Sequence, residues 1–279
     1  MTCVTVVNTY KKEAAALFTD ISAFLNKKGH RTVRADFSGA DIPFPVNEYD
    51  YVITLGGDGT VLYAARRCAE SGKIVVPVDF GEFGFIAGIQ PENWQSALED
   101  FFAGTMTIAE RSLIKADVVR GTQTLHSGIA LNDAVICALE KPNTVLVEVS
   151  TPAAAFGTFK ADALIVSTST GSTAYSAAAG GPIVDPGLDA MVLNTVSAFS
   201  LSNRPLVLSS DTELSMHILP SRSRNCMLVL DGQVHISLQP DDRVHIKRAE
   251  RTVKLAGCDA SVFYAALRSK LHWSGGPRA

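Results

Sequence analysis

The order of apolar and polar residues changes its period along the chain, and this change predicts how the chain is organised. In the first hundred residues, short apolar runs alternate with segments whose apolar residues recur every three to four positions. The runs indicate buried strands and the segments indicate helices with one covered face. The strands are predicted at residues 3–7, 51–55 and 73–80, and a further strand begins with residues 30–35. The helices are predicted at 14–25, 61–69 and 91–102. This alternation is typical of a Rossmann-like parallel sheet covered by helices on both faces.

From about residue 110, alternation of apolar and polar residues takes over. Turn signals such as Asp231-Gly232 and Pro240-Asp241 separate these runs, which predicts antiparallel strands. The runs are 113–119, 144–149, 213–219, 227–230, 234–238, 243–247 and 252–255. We therefore expect an α/β domain over residues 1–108 and an all-β, sandwich-like domain over 109–261. Helical spacing returns near the end, so a last helix within 262–279 is expected to pack back and join the first domain.

Composition supports a folded protein and excludes several classes. With 279 residues and 47% hydrophobic content, the chain can fill the cores of two domains. Lys and Arg total 25 against 28 Asp and Glu, a net charge of −3 without a basic block, so neither a nucleic-acid partner nor a membrane surface is expected. The five cysteines are dispersed without a CxxC pair, which argues against a disulfide scaffold or a structural zinc site. No leader or membrane span is recognisable, and we expect a cytoplasmic protein.

The stretch Gly56–Thr60, GGDGT, stands between a predicted strand and a predicted helix. A turn of this kind points unpaired backbone N–H groups forward, and its three glycines leave that backbone uncovered, so a polyphosphate could approach closely. The stretch lacks the lysine of a Walker A loop and the glycine spacing of the dinucleotide fingerprint. If it binds phosphate, it does so by another scheme.

Asp58 is the unusual residue of this turn, because a carboxylate repels phosphate. It could orient a hydroxyl and take its proton during phosphoryl transfer, or help to hold the metal that accompanies a nucleoside triphosphate. The alternative is a helix N-cap, a task that Thr60 could also perform. On this stretch alone, the functional and structural interpretations are about equally supported.

Two further stretches interrupt the strand pattern of the second half. In Ala130–Val135, the Asn132-Asp133 pair could bind the vicinal hydroxyls of a ribose, although an Asx turn at a strand end explains this stretch alone better. In Ala161–Pro182, a hydroxyl-rich run leads into a predicted small-residue helix at Ala174–Ala179. A base and its ribose could lie against that backbone, with polar contacts from Thr173, Tyr175 and Ser176. A flexible surface loop is the alternative, which the apolar residues on both sides disfavour.

Together these stretches resemble the NAD kinase family in order and rough spacing, from about residue 50 to 273. The resemblance is carried by GGDGT at 56–60, LND at 131–133, TGSTAYS at 170–176, AGGP at 179–182, LSNRP at 201–205, DGQ at 231–233 and LRSKLHW at 267–273. GGDGT is shared with diacylglycerol and sphingosine kinases, whereas TGSTAYS followed by AGGP is far more specific to NAD kinases. The resemblance implies a homodimer or homotetramer that binds NAD in its β domain and has the active site between the two domains.

The implied reaction is transfer of the γ-phosphoryl group of ATP, with Mg²⁺, to the 2′-hydroxyl of the adenosine ribose of NAD. Asp58 would accept the proton, and Gly57 and Gly59 would lie beside the substrate; no residue is assigned to the Mg²⁺, which would arrive with the donor phosphates. Asn132 and Asp133 would bind NAD. The residues implied around its adenine half are Thr173, Ala174, Tyr175, Ser176, Ala177 and Ala178. Asp162 would contact the nicotinamide end, possibly across a subunit interface, and Lys160 and Gln233 are weaker candidates.

The chain departs from the family pattern at a few positions, notably Asp79, where Asn is usual, and Ala198-Phe199, where Pro-His is common. These departures leave open whether ATP or inorganic polyphosphate is the donor. Two other functions are weighed against an NAD kinase. A lipid kinase should carry an exposed apolar or basic membrane-facing stretch, which the sequence lacks. A catalytically silent NAD(P)-binding sensor would not need Asp58 together with Asn132 and Asp133.

Overall fold

The computed structural model describes residues 1–39, 44–81, 84–139, 144–221 and 225–271. Residues 272–279, which end the predicted segment 262–279 and include His272 and Trp273 of the LRSKLHW motif, lie outside the described residues. The chain forms two compact units, named here the first unit (Met1–Arg111 with Arg251–Ala279) and the second unit (Ser112–Glu250).

The helices and strands follow one another along the chain in this order: β1 (Thr2–Asn8), α1 (Lys12–Lys27), β2 (Arg31–Phe37), β3 (Tyr51–Gly56), α2 (Asp58–Ala69), β4 (Ile74–Asp79), α3 (Trp94–Ala103), β5 (Ile108–Arg120), β6 (Gln123–Ala130), β7 (Asp133–Ala138), β8 (Val145–Ser150), β9 (Ala155–Ala161), β10 (Ala163–Thr168), α4 (Tyr175–Ala178), β11 (Ala190–Val196), β12 (Leu206–Ser209), β13 (Leu214–Ile218), β14 (Cys226–Leu230), β15 (Val234–Leu238), β16 (Arg243–Ala256) and α5 (Ala260–Lys270). Single 3₁₀ turns occur at Val46–Glu48, Pro91–Asn93 and Thr170–Thr173.

The first unit is built on a parallel sheet, as the alternating pattern predicts. Its strands lie in the order β2, β1, β3, β4 and the end of β16, and they run parallel to one another. The helices cover the sheet because their apolar faces pack on it, with Ile21 and Leu25 of α1 fully buried. The strands β3 and β4 are in register, so that Gly56 pairs with Asp79 at their carboxyl ends. In open parallel sheets this is the edge where ligands bind, and here it carries the GGDGT turn.

The second unit consists of two antiparallel sheets. One sheet has the order β12, β11, β10, β7, β14 and β15. In the other, the first half of β16 pairs with β13, β13 with β8 and β8 with β9, while β5 pairs with β6. The inward residues of both sheets form one apolar core, which contains Ile136 and Leu164 from one sheet and Val147 and Met216 from the other. This is the expected sandwich-like β domain.

Three local expectations need correction. The runs predicted as two strands at 243–247 and 252–255 are one strand, β16, whose central residues are polar because both of their faces are mostly exposed. The predicted helix Ala174–Ala179 is reduced to the four residues of α4, since Ala174 has a non-helical backbone and Gly180 has a positive φ of 78°. Several strands lacked a clear alternation and were not predicted, namely β6, β7, β9, β11 and β12.

Candidate functional site

Asp58 is the first residue of α2, but its carboxylate does not cap that helix. The N-cap position belongs to Gly57, and no side chain caps the helix start. Instead, Asp58 Oδ2 accepts a hydrogen bond from the backbone N–H of Phe85 at 2.8 Å, and Oδ1 accepts one from that of Ile86 at 3.3 Å. The capping interpretation is therefore wrong. The loop after β4 fixes the orientation of the carboxylate, independently of the helix.

Close packing in this loop requires glycine at position 84. A Cβ atom on Gly84 would lie 2.8 Å from Asp58 Oδ1 and 3.0 Å from Asp79 Oδ2. Real Cβ atoms essentially never approach another atom as closely as the first of these distances, and the second is tight. The two carboxylates thus lie on the same side of the Gly84 backbone, near each other.

A cation from the last helix compensates this pair of acids. Lys270 Nζ lies 3.4 Å from Asp79 Oδ2 and donates a hydrogen bond to the carbonyl oxygen of Gly84 at 2.5 Å. Burial raises the pKa of Asp58 to about 6, and the charge of Asp79 adds to this rise, whereas the two backbone N–H groups and Lys270 oppose it. Asp58 is therefore mostly ionised at neutral pH and is a stronger base than an ordinary aspartate.

In the second unit, Asn132 and Asp133 form a tight turn that enters β7. Three backbone N–H groups of this turn point at the carboxylate of Asp231: those of Leu131 (3.0 Å), Asn132 (2.7 Å) and Asp133 (3.2 Å). Thr168 supports the turn from the other side, because its N–H binds the Asn132 carbonyl oxygen at 2.8 Å and its hydroxyl binds that of Leu131. The turn is fixed by its backbone, which leaves its side chains available.

The LND and TGSTAYS stretches are in direct contact. A Cβ atom on Gly171 would lie 2.0 Å from the carbonyl oxygen of Asn132, so no other residue fits at position 171 without moving the turn. The N–H of Gly171 binds the hydroxyl of Thr168 at 3.0 Å, which closes the arrangement. The sequence places these two stretches almost forty residues apart, yet they form one structural unit.

A cavity of about 340 Å³ lies beside this turn, within the second unit. It is lined by Asn132, Asp133, Val135, Cys137, Ala174, Tyr175, Val229, Asp231 and Gly232. Burial raises the pKa of Asp133 to about 7, and the neighbouring charge of Asp231 adds to the rise. The cavity thus combines apolar walls with a small number of polar groups, as small-molecule sites do.

The other predicted residues are distributed around this cavity or away from it. Ala174 and Tyr175 line it, whereas Ser176 is fully buried and its carbonyl oxygen accepts hydrogen bonds from Asn194 Nδ2 and the N–H of Gly181. The Thr173 hydroxyl donates to the Thr170 carbonyl oxygen at 3.3 Å. Thr173 and Ser176 are not among the residues that line the cavity, and neither are Ala177 and Ala178 in α4, Lys160, whose Nζ lies 4.6 Å from the ring centroid of Phe199, or Asp162 between β9 and β10.

Gln233 follows the Asp231-Gly232 turn, and its N–H binds the Leu230 carbonyl oxygen at 3.0 Å; it too is absent from the cavity lining. In the first unit, Gly57 and Gly59 lie in the GGDGT turn with Asp58, and Gly59 is exposed. The structure therefore brings together Asn132, Asp133, Ala174 and Tyr175 in one unit, and Gly57, Asp58 and Gly59 in the other.

Comparison with known proteins decides the family. The family models described as ATP-NAD kinase N-terminal domain and ATP-NAD kinase C-terminal domain match residues 4–106 and 131–257. A NAD kinase of Treponema denticola is 44% identical over 271 residues, which are 97% of this chain and 95% of the relative. The chain belongs to the NAD kinase family. The resemblance drawn from its motifs, and the expectation of an enzyme of this kind, are confirmed.

More distant NAD kinases agree in length and fold. That of Ralstonia nicotianae is 36% identical over 93% of this chain and 88% of its own. Among solved structures, yeast NADH kinase complexed with NADH superposes with a TM-score of 0.87 at 17% identity, covering 100% of this chain and 89% of that one. A NAD kinase from Archaeoglobus fulgidus in complex with ATP gives 0.79 at 19% identity, covering 96% and 99%. These structures establish that the fold is that of NAD kinases.

Sequence reasoning missed two charged residues beside the candidate site residues. Lys270 lies in the LRSKLHW motif and Asp231 in the DGQ motif, so the family motifs held a signal, but neither residue was assigned a role. Both act on other residues of this chain, and such contacts between distant positions cannot be read from local spacing.

No group of three or more His, Cys, Asp or Glu side chains that could hold a metal ion occurs among the described residues. Within the same part of the chain, no helix is both long and apolar enough to cross a membrane.

Proposed function

We propose that this member of the NAD kinase family transfers the γ-phosphoryl group of ATP to the 2′-hydroxyl of the adenosine ribose of NAD, forming NADP. The observation that carries the proposal is the orientation of Asp58. Its carboxylate is held by two backbone N–H groups of a neighbouring loop, remains ionised at neutral pH and lies in a glycine-rich turn at the carboxyl edge of a parallel sheet. This is the placement required of a group that receives a proton next to bound phosphates.

Asp58 would act late in the transfer. A carboxylate is a far weaker base than an alkoxide, so it cannot remove the ribose proton before the phosphoryl group arrives. Phosphoryl transfer through a loose transition state needs little nucleophilic push, and its catalysis depends on alignment and charge stabilisation. We infer that Asp58 aligns the 2′-hydroxyl and accepts its proton late in the transfer. At this stage the bond from the ribose oxygen to the γ-phosphorus forms, and the bond from the γ-phosphorus to the leaving ADP breaks.

In this proposal, Asn132 and Asp133 bind the ribose and base of NAD. An ionised Asp133 can accept hydrogen bonds from two vicinal hydroxyls, and the amide of Asn132 can donate and accept. Tyr175 and Ala174 contribute an apolar wall to the same cavity, against which a flat base can lie. The peripheral candidates Lys160, Asp162, Thr173, Ser176, Ala177, Ala178 and Gln233 remain proposed contacts, with Asp162 reached from a second copy of the chain in a homodimer or homotetramer.

Mg²⁺ is proposed to enter with the donor phosphates, where it would neutralise charge that develops on the transferred group. The ion would be coordinated mainly by phosphate oxygens and water, as is usual for magnesium in kinases. The backbone N–H groups of Gly57 and Gly59 are the proposed partners of the phosphate oxygens.

The direct test is to incubate purified protein with NAD, Mg²⁺ and either ATP or inorganic polyphosphate. We expect formation of a product that an NADP-specific dehydrogenase reduces, which identifies the 2′ position. The Asp58→Asn variant is the control, because it has nearly the same shape but a far weaker basic group. Failure of the parent protein to form this product with either donor would contradict the proposal, and product with polyphosphate alone would change the donor.

A further inference from the structure

The turn between β14 and β15 contains an acidic residue that the turn itself does not need. Asp231 and Gly232 have φ angles of 51° and 66°, and the N–H of Gln233 binds the Leu230 carbonyl oxygen at 3.0 Å. Two successive residues of positive φ define the tight hairpin turn in which Asn, Asp or Gly is favoured at the first position. Asn or Gly would serve the turn as well, so the charge of Asp231 is not required. Asp231 is nevertheless buried, with 7% of its surface exposed.

Its burial is explained by the turn that it contacts. The Asp231 carboxylate accepts three backbone hydrogen bonds from residues 131–133, and the N–H of Asp231 donates to the Asp133 carbonyl oxygen at 3.0 Å. Four bonds thus join two turns that are about a hundred residues apart in sequence. Hydrogen bonds to a charged acceptor are the stronger kind, and they hold the peptide planes of Asn132 and Asp133 in one orientation.

We propose that Asp231 is a positioning residue for NAD: its carboxylate fixes the backbone of Asn132 and Asp133, and so places both side chains at the cavity they line. The inference rests on the proposed function, in which these two side chains bind NAD. Asp231 borders the same cavity, and its carboxylate accepts hydrogen bonds from three backbone N–H groups of the neighbouring turn.

The same arrangement has an electrostatic consequence. The groups with charges or titratable protons around Asp133 are Asp231 from the β14–β15 turn, Tyr175 from α4 and Cys137 from β7. The charge of Asp231 raises the pKa of Asp133 beyond the effect of burial. Removing its charge should therefore lower the pKa of Asp133, so that Asp133 is ionised, and able to accept from ribose hydroxyls, at lower pH than in the parent.

The test is the Asp231→Asn variant. Asparagine tolerates the positive φ of this position, but its NH₂ group replaces one acceptor oxygen and faces a backbone N–H. We expect the KM and the calorimetric Kd for NAD to rise roughly tenfold to a hundredfold at pH 8.5, with kcat changed by less than about threefold. We also expect the acid limb of kcat/KM for NAD to move to lower pH by about half a unit or more. A merely structural loosening would lower activity without moving this limb.

Asp241→Asn is the matched control. Asp241 is an aspartate of positive φ, 71°, in another turn of the second unit, but its side chain is 79% exposed and its Oδ1 lies 3.5 Å from His217 Nε2. Its variant should retain the parent's KM and pH profile. If Asp231→Asn does not fold, Asp231→Gly relieves the turn while removing the carboxylate, and the same measurements apply.

The outcomes separate the two proposals. A parent that forms NADP while Asp231→Asn keeps its KM, Kd and acid limb would overturn the role of Asp231 and leave the proposed function standing. Equal effects of the Asp231 and Asp241 substitutions would also overturn it. A parent that neither binds NAD nor phosphorylates it would overturn both.

Discussion

Asp58 shows how a carboxylate can stay charged where burial opposes charge. Burial alone would favour its neutral form, but two backbone N–H groups bind the ionised form and a lysine lies nearby. The resulting pKa of about 6 lies between that of a solvent-exposed aspartate and neutral pH. A proton acceptor is most effective when its pKa is close to the working pH without exceeding it, and Asp58 meets this condition.

Replacing Asp58 by Asn should lower kcat by roughly a hundredfold or more while nucleotide binding is kept, because the amide can align a hydroxyl but cannot take its proton. The measurement is steady-state NADP formation, together with calorimetric binding of NAD. In the parent, kcat at saturating NAD should fall as the pH is lowered through about 6, where Asp58 becomes protonated. Purified Asp58→Asn protein with full turnover would refute the role.

At the scale of elements, the last helix contributes to the site through one side chain. Helix α5 begins at an aspartate cap, Asp259, whose carboxylate accepts from the N–H groups of Ser261 and Val262, and Phe263 and Leu267 anchor it in the first unit. This anchoring carries Lys270 to Asp79 and to the loop that holds Asp58. The chain has an acid at position 79, and Lys270 balances it.

Replacing Lys270 by Met should therefore raise the pKa of Asp58 and move the acid limb of kcat to higher pH, because the nearby positive charge is lost. Arg268→Met is the matched control, since Arg268 is an exposed basic residue in the same last turn of α5. The double variant Lys270→Met with Asp79→Asn removes both opposing charges and should return the limb towards its parent position. If the acid limb of kcat lies at the same pH in Lys270→Met, Arg268→Met and the double variant, Lys270 does not act on Asp58.

The elements that sequence could predict are those with an uninterrupted pattern. The sequence predicts strand β15 at its observed bounds, Val234–Leu238, because half-buried or buried apolar residues alternate with exposed polar ones. Strand β7 has both faces covered at its start, so its residues show no alternation, and β9 contains a glycine at φ 115° next to an irregular register. Helix α4 was overestimated, because small residues indicate a helix without indicating where its backbone is interrupted.

Each of the two units holds its own group of candidate site residues, and local sequence reasoning identifies these groups but not the contacts around them. The GGDGT, LND and TGSTAYS stretches could be identified because each has an unusual composition beside an apolar run. The contacts that give them their chemistry are long-range: Phe85 and Lys270 act on Asp58, and Asp231 acts on Asp133. Such pairs follow from the arrangement of strands, which a single sequence does not encode in its local pattern.

Both site acids should leave a signature in the stability of the whole protein. The folded-state pKa values of Asp58 and Asp133, about 6 and about 7, are raised from the ordinary value. Their contribution to stability is therefore fully present below the unfolded pKa, near 4, and is lost as the pH rises through 6 and 7. The double variant Asp58→Asn, Asp133→Asn is the reference. We expect the free energy of unfolding of the parent, relative to that of this variant, to fall by roughly 3 to 6 kcal/mol between pH 4.5 and 8.

Denaturant titrations of both proteins at several pH values give this difference, in which the contributions of titratable groups distant from the two carboxylates cancel. A difference that is independent of pH would mean that neither carboxylate is buried in the folded protein as described. A fall confined to the region below pH 5 would contradict the raised pKa values as well.

The position of Cys137 gives the cavity a built-in chemical reporter. Cys3, Cys68, Cys226 and Cys258 are buried, whereas Cys137 is partly exposed and lines the cavity beside Asp133. A thiol-selective label added to the native protein should thus modify Cys137 before the other cysteines. The reaction should be slow, because burial raises the pKa of the Cys137 thiol. The rate of labelling, followed by mass spectrometry, should drop when NAD fills the cavity, so occupancy can be read without waiting for turnover.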